Sequence, residues 1–143
     1  DKNELFNISD LIFKIISKYQ NSKINLEQKE KILFNGRKNL IQRCLNNLID
    51  NGIRYSKNMK IKHEKLKKNI FITIDDDGPG IPENEYENVF KPFYKIDKSR
   101  GDARSSVGLG LSIASDIIRS HGGNIALDDS PEGGLRVKIL LPY

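Results

Sequence analysis

The sequence predicts an α+β fold, a two-layer α/β sandwich in which three helices pack on one face of a mixed, largely antiparallel sheet of about five strands. Three segments place apolar residues at helical spacing, which predicts amphipathic helices. Several shorter segments alternate apolar and polar residues, which predicts strands, and turn residues separate them. A chain of 143 residues can bury a real core, so we expect a single domain over 1–143.

The helices follow from apolar spacing and from residues that favour helix ends. The first is predicted from the N-cap candidate Asn7 to about Gln20. The second covers about 38–56, and the third covers about 109–121, where a pair of glycines ends it.

The strands are short and alternating, and Asn35-Gly36 predicts a turn between two elements. Their predicted ranges are 23–28, 30–35, 59–63, 69–75, 124–128 and 135–141. The span 76–107 has little periodicity, and a long irregular span inside a compact domain is usually functional.

Composition restricts the classes of function. The net charge is +5, but the basic run over 57–68 lacks aromatic residues, which favours a solvated hairpin over a nucleic-acid surface. No apolar run approaches the roughly 20 residues of a membrane span. The single cysteine, Cys44, fits a reducing compartment. The sequence begins at Asp1 without methionine, so we expect it to be part of a longer protein.

A polar stripe crosses the second predicted helix within NNLIDNGIRYS. Asn47, Asn51 and Arg54 fall within roughly 60° of one another, on a different face from the apolar residues. Amide oxygens suit a hard cation such as Mg²⁺, and a guanidinium suits phosphate. Gly52 would let another backbone element come close. The alternative is an ordinary polar outer face.

Two glycine-rich segments follow. A strand runs directly into Asp76-Asp77-Gly78-Pro79-Gly80-Ile81-Pro82, which places a carboxylate beside a tight turn, although a plain surface turn has the same composition. Gly108 and Gly110 open the third helix, and N–H groups at a helix N-terminus bind phosphate, although simple capping is the alternative. No Walker loop is present.

These motifs together resemble a known family, the ATP-binding catalytic domain of sensor histidine kinases within the gyrase–Hsp90–histidine kinase–MutL superfamily. The resemblance covers essentially the whole chain, and four ordered motifs are more specific than any one. The segments that match its N, G1, F and G2 boxes and its closing hairpin are NNLIDNGIRYS, DDDGPGIP, VFKPFYK, VGLGLSIA and HGGNIALDDSPEGGLRVKILLP.

The resemblance implies ATP and Mg²⁺ as cofactors and gives the stripe its roles. Asn51 matches the magnesium ligand, and Asn47 lies near the metal and the phosphates. Arg54 matches a basic residue on the phosphates, and Tyr55 matches an aromatic residue beside the nucleotide. Asn47, Asn51 and Arg54 are therefore the predicted catalytic residues.

The resemblance also assigns the base and phosphate sides of the nucleotide. Asp76 matches the carboxylate that accepts a hydrogen bond from the adenine amine, which selects ATP over GTP because a guanine carbonyl would oppose two acceptors. The other residues expected to line the nucleotide are Gly78, Gly80, Ile81, Gly108, Leu109, Gly110 and Leu111.

The span of about 94–107 resembles the ATP lid of the family, and we expect it to be mobile without nucleotide. Lys98, Arg100 and Arg104 are its candidates for phosphate contact, with plain solubility as the alternative. Phe90 and Phe93 are expected to pack at the lid hinge. The sequence departs from the family pattern at two places, Gly52 in place of Ala and Ser106-Val107 in place of Gly-Thr, and the second bears on the geometry of the lid.

The resemblance favours a kinase over an ATPase. Related ATPases place a glutamate general base one turn before the metal ligand, where this chain has Asn47, and an amide is no base. We therefore expect phosphoryl transfer to a histidine on a separate dimerisation and phosphoacceptor domain, absent here, and then to a response regulator. His63 and His121 are expected to be surface or capping residues rather than acceptors.

The resemblance implies a homodimeric parent, a sensor that is often anchored in a membrane, with this chain as a cytoplasmic portion. No nucleic-acid partner is expected. Two alternatives remain, a protein serine kinase of the anti-sigma-factor type on the same fold and a non-enzymatic nucleotide-binding or nucleic-acid-binding module.

Overall fold

The computed structural model describes residues 2–19, 23–27, 31–96 and 110–143. Three α-helices and seven strands lie in these ranges, with two short 3₁₀ turns after β5. Their bounds are β1 Glu4–Asn7, α1 Ile8–Ile16, β2 Lys23–Glu27, β3 Leu33–Gly36, α2 Lys38–Tyr55, β4 Asn58–Lys65, β5 Asn69–Asp76, the turns Glu83–Glu85 and Asn88–Phe90, α3 Gly110–Ser120, β6 Asn124–Asp129 and β7 Leu135–Pro142.

The main sheet has five strands in the order β2-β4-β5-β7-β6. Only the β2–β4 pair is parallel, and the other three pairs are antiparallel. Helices cover one face of this sheet. Apolar residues alternate along the strands, so they collect on that face, where Ile70, Ile72 and Ile74 of β5 are buried. The predicted α+β sandwich with a mixed, largely antiparallel sheet is confirmed.

The helices begin and end for local reasons. The side chain of Asn7 accepts a hydrogen bond from the backbone N–H of Ser9 at 3.0 Å, which confirms the predicted N-cap of α1. This helix ends at Ile16, earlier than predicted. Helix α2 buries a row of residues against the sheet, namely Ile41, Cys44, Leu45, Leu48 and Ile49. Helix α3 buries a similar row, namely Leu111, Ala114, Ile117 and Ile118.

Strands β1 and β3 form a separate two-stranded antiparallel sheet that the sequence did not indicate. Glu4 pairs with Gly36 and Leu5 with Asn35, so the predicted Asn35-Gly36 turn is wrong. Turn propensity is overridden here because β1 supplies a hydrogen-bonding partner from far away in the sequence. Gly36 is needed for close packing, since a β-carbon there would lie 2.3 Å from the ring of Phe34.

The basic run over 57–68 forms β4 and the turn into β5, which confirms the predicted hairpin. Lys60 lies 2.9 Å from the carboxylate of Glu27 on the face of the sheet opposite the helices. His63 corrects the prediction of a surface residue, because it is only 5% exposed and its Nε2 lies 2.7 Å from the hydroxyl of Ser9. Strand alternation places it inward despite its lysine neighbours.

Within the described ranges, none of the helices combines the length and the apolar character needed to cross a membrane. The longest, α2 over Lys38–Tyr55, is amphipathic.

Candidate functional site

The polar stripe of α2 lies beside its buried face, in the second half of the helix. Asn47 and Asn51 are half-buried, and Arg54 is exposed. The three residues occupy successive turns, as predicted. The neighbour of Gly52 is not backbone, because a β-carbon there would meet the flexible side chain of Met59 at 2.4 Å. The expected close approach of a backbone element is therefore wrong, and the departure from Ala leaves room for Met59.

Three consecutive aspartates at the end of β5 have three different environments. Asp75 points to the open face of the sheet, where the guanidinium of Arg136 donates to both of its oxygens at 2.8 and 2.9 Å. Asp76 points to the helical face. Asp77 lies beyond the strand and accepts from the backbone N–H groups of Lys57 and Asn58 at 2.9 and 3.0 Å. Strand alternation therefore leaves Asp76 as the carboxylate on the side of α2.

Asp76 is held by backbone groups from two segments. Its Oδ1 accepts from the N–H groups of Gly78 and Leu135, both at 3.1 Å. Its backbone carbonyl accepts from the N–H of Gly134 at 3.0 Å. The carboxylate is only 3% exposed, so these bonds fix the direction in which a buried acceptor points.

The turn after Asp76 packs directly on the end of α2. A β-carbon on Gly78 would lie 2.1 Å from the carbonyl oxygen of Tyr55, so only glycine fits. Gly80 has more space, since a β-carbon there would lie 3.6 Å from the carbonyl oxygen of Gly134. Ile81 is buried in the core. The structure thus brings Asp76, the glycine turn and Tyr55 into one region.

The start of α3 reaches the same region from another side. A β-carbon on Gly110 would lie 4.0 Å from the backbone oxygen of Asn47, so the first turn of α3 lies beside the backbone of α2 at Asn47. Leu111 is fully buried, and its side chain belongs to the core. The remaining predicted phosphate-side and lid residues, Lys98, Arg100, Arg104, Gly108 and Leu109, lie outside the described residues, as does most of the predicted lid.

The start of the predicted lid is described as far as Ile96. The hydroxyl of Tyr94 donates to the buried carboxylate of Glu85, which anchors this stretch to the first 3₁₀ turn. Phe90 packs partly against the core, as expected for hinge packing. Phe93 contradicts that expectation, because it is 77% exposed with a φ of 63°, a strained conformation for a bulky residue.

Two ionisable groups near the site are shifted by their surroundings. Hydrogen bonds from the backbone and side chain of Asn58 lower the pKa of Asp77, because they favour the charged carboxylate. Burial raises the pKa of the Cys44 thiol to about 12, which favours its protonated form.

The donor set fits a magnesium ion that arrives with phosphate. In the part of the chain that the structure describes, no group of three or more His, Cys, Asp or Glu side chains could hold a metal. Asn47 and Asn51 instead offer amide oxygens one turn apart beside the start of α3. Magnesium commonly takes few protein ligands and completes its shell with water and phosphate oxygens, so these residues fit such an ion.

His121 lies at the opposite end of α2. Its Nδ1–H donates to the carbonyl of Ile117 at 2.8 Å, and its Nε2 accepts from the N–H of Arg37 at 3.1 Å. The imidazole thus ties the end of α3 to the start of α2, which confirms a capping role.

Sequence reasoning missed Gly134 and Leu135, which contact Asp76, and Asp77, which holds the start of β4. The paired glycines at 133–134 marked a turn, but nothing local showed what the turn touches. The alternation of Asp75 and Asp76 along β5 was a usable signal for which carboxylate faces inward.

Comparison with known proteins is consistent with this geometry. The profile of the family described as "Histidine kinase-, DNA gyrase B-, and HSP90-like ATPase" matches residues 36–143. The chain belongs to this family. Within it, the mixed sheet with helices on one face is the fold of a histidine kinase catalytic domain.

Individual relatives narrow the class of protein further. The chain is 40% identical over 108 residues to the sensor histidine kinase CpxA of Escherichia coli, covering 75% of this chain and 24% of the relative. It is 39% identical over 102 residues to the sensor histidine kinase GtrS of Pseudomonas aeruginosa, covering 71% and 21%. The chain thus spans under a quarter of the length of these two curated relatives.

Among solved structures, the catalytic domain of histidine kinase ThkA aligns with a TM-score of 0.85 at 27% identity, covering 99% of this chain and 96% of that one. These relatives are two sensor histidine kinases and the catalytic domain of a histidine kinase. They do not favour the serine kinase or the nucleic-acid-binding alternative.

Proposed function

We propose that this chain binds Mg²⁺-ATP and transfers the γ-phosphoryl group to a histidine on a separate dimerisation and phosphoacceptor domain of the same parent protein. The observation that supports this most is the meeting of three segments. The turn after Asp76 packs on Tyr55 at the end of α2, and Gly110 at the start of α3 lies against Asn47.

In this proposal, Asp76 recognises the adenine base of the nucleotide. A buried carboxylate would accept a hydrogen bond from the adenine amine, whereas the carbonyl of guanine would place two acceptors against each other. Gly78, Gly80 and Ile81 would shape the base side, and Tyr55 would lie beside the nucleotide.

The polar stripe would hold the phosphates and their metal. Asn47 and Asn51 would supply amide oxygens to Mg²⁺, and Arg54 would contact phosphate from the exposed side of α2. A bound Mg²⁺ neutralises charge on the phosphate oxygens. The N–H groups near Gly110 and the basic residues Lys98, Arg100 and Arg104 would complete the phosphate side.

Slow hydrolysis follows from the residue at position 47. The amide of Asn47 cannot take a proton from water at neutral pH, so water is poorly activated there. An imidazole acceptor needs little activation, because its neutral nitrogen already has a lone pair. Positioning and charge stabilisation would then carry the transfer, as they do in phosphoryl transfer generally.

The acceptor and the later partners lie elsewhere in this proposal. His63 is buried against Ser9, and His121 holds the N–H of Arg37, so neither serves as the acceptor. We propose a homodimeric, membrane-anchored parent sensor with this chain on the cytoplasmic side, and a response regulator that receives the phosphoryl group. We propose no nucleic-acid partner.

The test is phosphotransfer with γ-labelled ATP. The domain is mixed with a parent fragment that carries the acceptor helix, with and without Mg²⁺, and a matched fragment with its acceptor histidine changed to glutamine is the control. We expect acid-labile label on the histidine fragment alone. Acid-stable label, or ATP hydrolysis without transfer, would reject the proposal.

A further inference from the structure

We propose that Gly134 is a positioning residue that sets the base preference of the nucleotide site through Asp76. This inference rests on the proposed function, in which the Asp76 carboxylate reads adenine. Gly134 lies in the β6–β7 turn and contributes no side chain. It acts by leaving space that the carboxylate and the turn after it occupy.

The space at Gly134 is fully used. A β-carbon there would lie 2.3 Å from Oδ1 of Asp76, 2.7 Å from the backbone oxygen of Asp76 and 2.7 Å from the nitrogen of Gly78. Contacts below about 3 Å do not occur for real β-carbons, and two of these three atoms belong to the backbone. Any larger residue must therefore displace the Asp76 carboxylate, the turn or both.

The carboxylate cannot move aside without losing bonds. Its Oδ1 accepts from the N–H of Gly78 and from the N–H of Leu135, which is 59 residues away in the sequence. Rotation away from position 134 would break both of these bonds to a buried oxygen. Breaking bonds to a buried charged acceptor is costly, so the native orientation depends on the missing β-carbon.

Gly134 itself is fixed by the hairpin. Its N–H donates to the carbonyl of Asp76 at 3.0 Å, and its carbonyl accepts from the N–H of Ser130 at 2.8 Å. The N–H of Gly133 donates back to the carbonyl of Ser130 at 3.0 Å. Because the turn is closed on both sides, Gly134 cannot retreat to make room for a side chain.

The test compares two alanine variants of adjacent glycines. Gly133 has a φ of 107° and open space around a β-carbon, so Gly133→Ala strains the same turn without touching Asp76. Affinities for ATP and GTP with Mg²⁺ are measured by calorimetry for wild type, Gly134→Ala and Gly133→Ala, alongside thermal unfolding. A purely structural role would lower the stability of both variants and leave the ATP-to-GTP ratio unchanged.

We expect Gly134→Ala to lose at least about tenfold in ATP affinity, with its ATP-to-GTP ratio falling toward one, while Gly133→Ala keeps the wild-type ratio. If Gly134→Ala keeps the wild-type ATP-to-GTP ratio, or if the ratio falls equally in Gly133→Ala, the positioning role of Gly134 is rejected. The proposed function is not affected by either result. A wild-type chain that binds no ATP overturns the proposed function and this inference together.

If Gly134→Ala does not fold, the role of Gly134 is tested by a measurement on the wild-type chain. The amide resonances of Gly134 and Leu135 are followed by NMR during titration with ATP and Mg²⁺, and Asp76→Asn is titrated in the same way. We expect both resonances to shift in wild type and to stay in place in Asp76→Asn. Unmoved resonances in a wild-type chain that binds ATP contradict the inference.

Discussion

Gly78 lies against the carbonyl of Tyr55 so closely that a β-carbon on residue 78 would stand 2.1 Å from that oxygen. This contact joins the turn after β5 to the last residue of α2. It thereby relates Asp76, which ends the strand, to the asparagine stripe on the helix. The end of β5 and the end of α2 are thus in direct contact.

We predict that Gly78→Ala lowers both stability and ATP affinity, the affinity by about tenfold or more, because the clash is with backbone that cannot turn away. Gly80→Ala is the matched control, since its β-carbon would meet the carbonyl of Gly134 at an ordinary 3.6 Å. Calorimetric titration and thermal unfolding measure both effects. Equal losses in the two variants would contradict the packing described here.

We predict that Asn51→Ala abolishes the magnesium dependence of ATP binding and leaves the fold intact, because a half-buried amide at the edge of α2 contributes little to the core. The measurement is the ratio of ATP affinities with Mg²⁺ and with a chelator. Asn46→Ala, the same change off the stripe, should keep the wild-type ratio. An unchanged ratio in Asn51→Ala would count against the metal assignment.

We predict that Arg136→Met lowers the free energy of unfolding by about 3 kcal/mol. The substitution removes the guanidinium that pairs with Asp75 and leaves that carboxylate buried without this partner. Lys138→Met should have a much smaller effect, since its pair with Asp128 is exposed at 3.4 Å. Urea unfolding measures both changes. ATP affinity should not change in either variant, because this face is opposite the helices.

We predict that Asp77 stabilises the fold at neutral pH and that its contribution is lost on acidification. Hydrogen bonds from Asn58 lower its pKa below 3.8, so the unfolded chain takes up this proton at a higher pH than the folded chain. Stability from Asp77 is therefore present above about pH 4 and declines as the pH falls further.

Asp77→Ala tests this dependence. The variant should be less stable than wild type near neutrality by less than about 1 kcal/mol, because solvent screens this surface carboxylate. The difference should shrink when urea unfolding is repeated near pH 3. A difference that stays constant with pH would show that the carboxylate charge is not responsible.

The parts of the fold and site that the sequence predicted are those with local causes. The spacing of Ile41, Cys44 and Leu48 fixes the buried face of α2, and the polar stripe beside it follows from the helical period. Asp76 is the last residue of a strand in which apolar residues alternate, so its position at the end of β5 was readable from the pattern.

The parts that the sequence did not predict depend on distant partners. Asn35 and Gly36 have the composition of a turn, but β1 draws them into a strand. His63 stands among lysines, yet its strand position turns it toward Ser9 on α1. Gly134 is an ordinary turn glycine until β5 places Asp76 against it. The local sequence around each of these residues does not indicate which distant residue it contacts.

The most direct measurement is a calorimetric titration of this chain with ATP, in the presence of Mg²⁺ and again with a chelator, together with the Asp76→Asn variant. We expect one nucleotide per chain, much weaker binding without the metal, and a sharp loss of affinity in the variant. Absence of binding by the folded wild-type chain, or an Asp76→Asn variant that binds ATP as wild type does, would contradict the account.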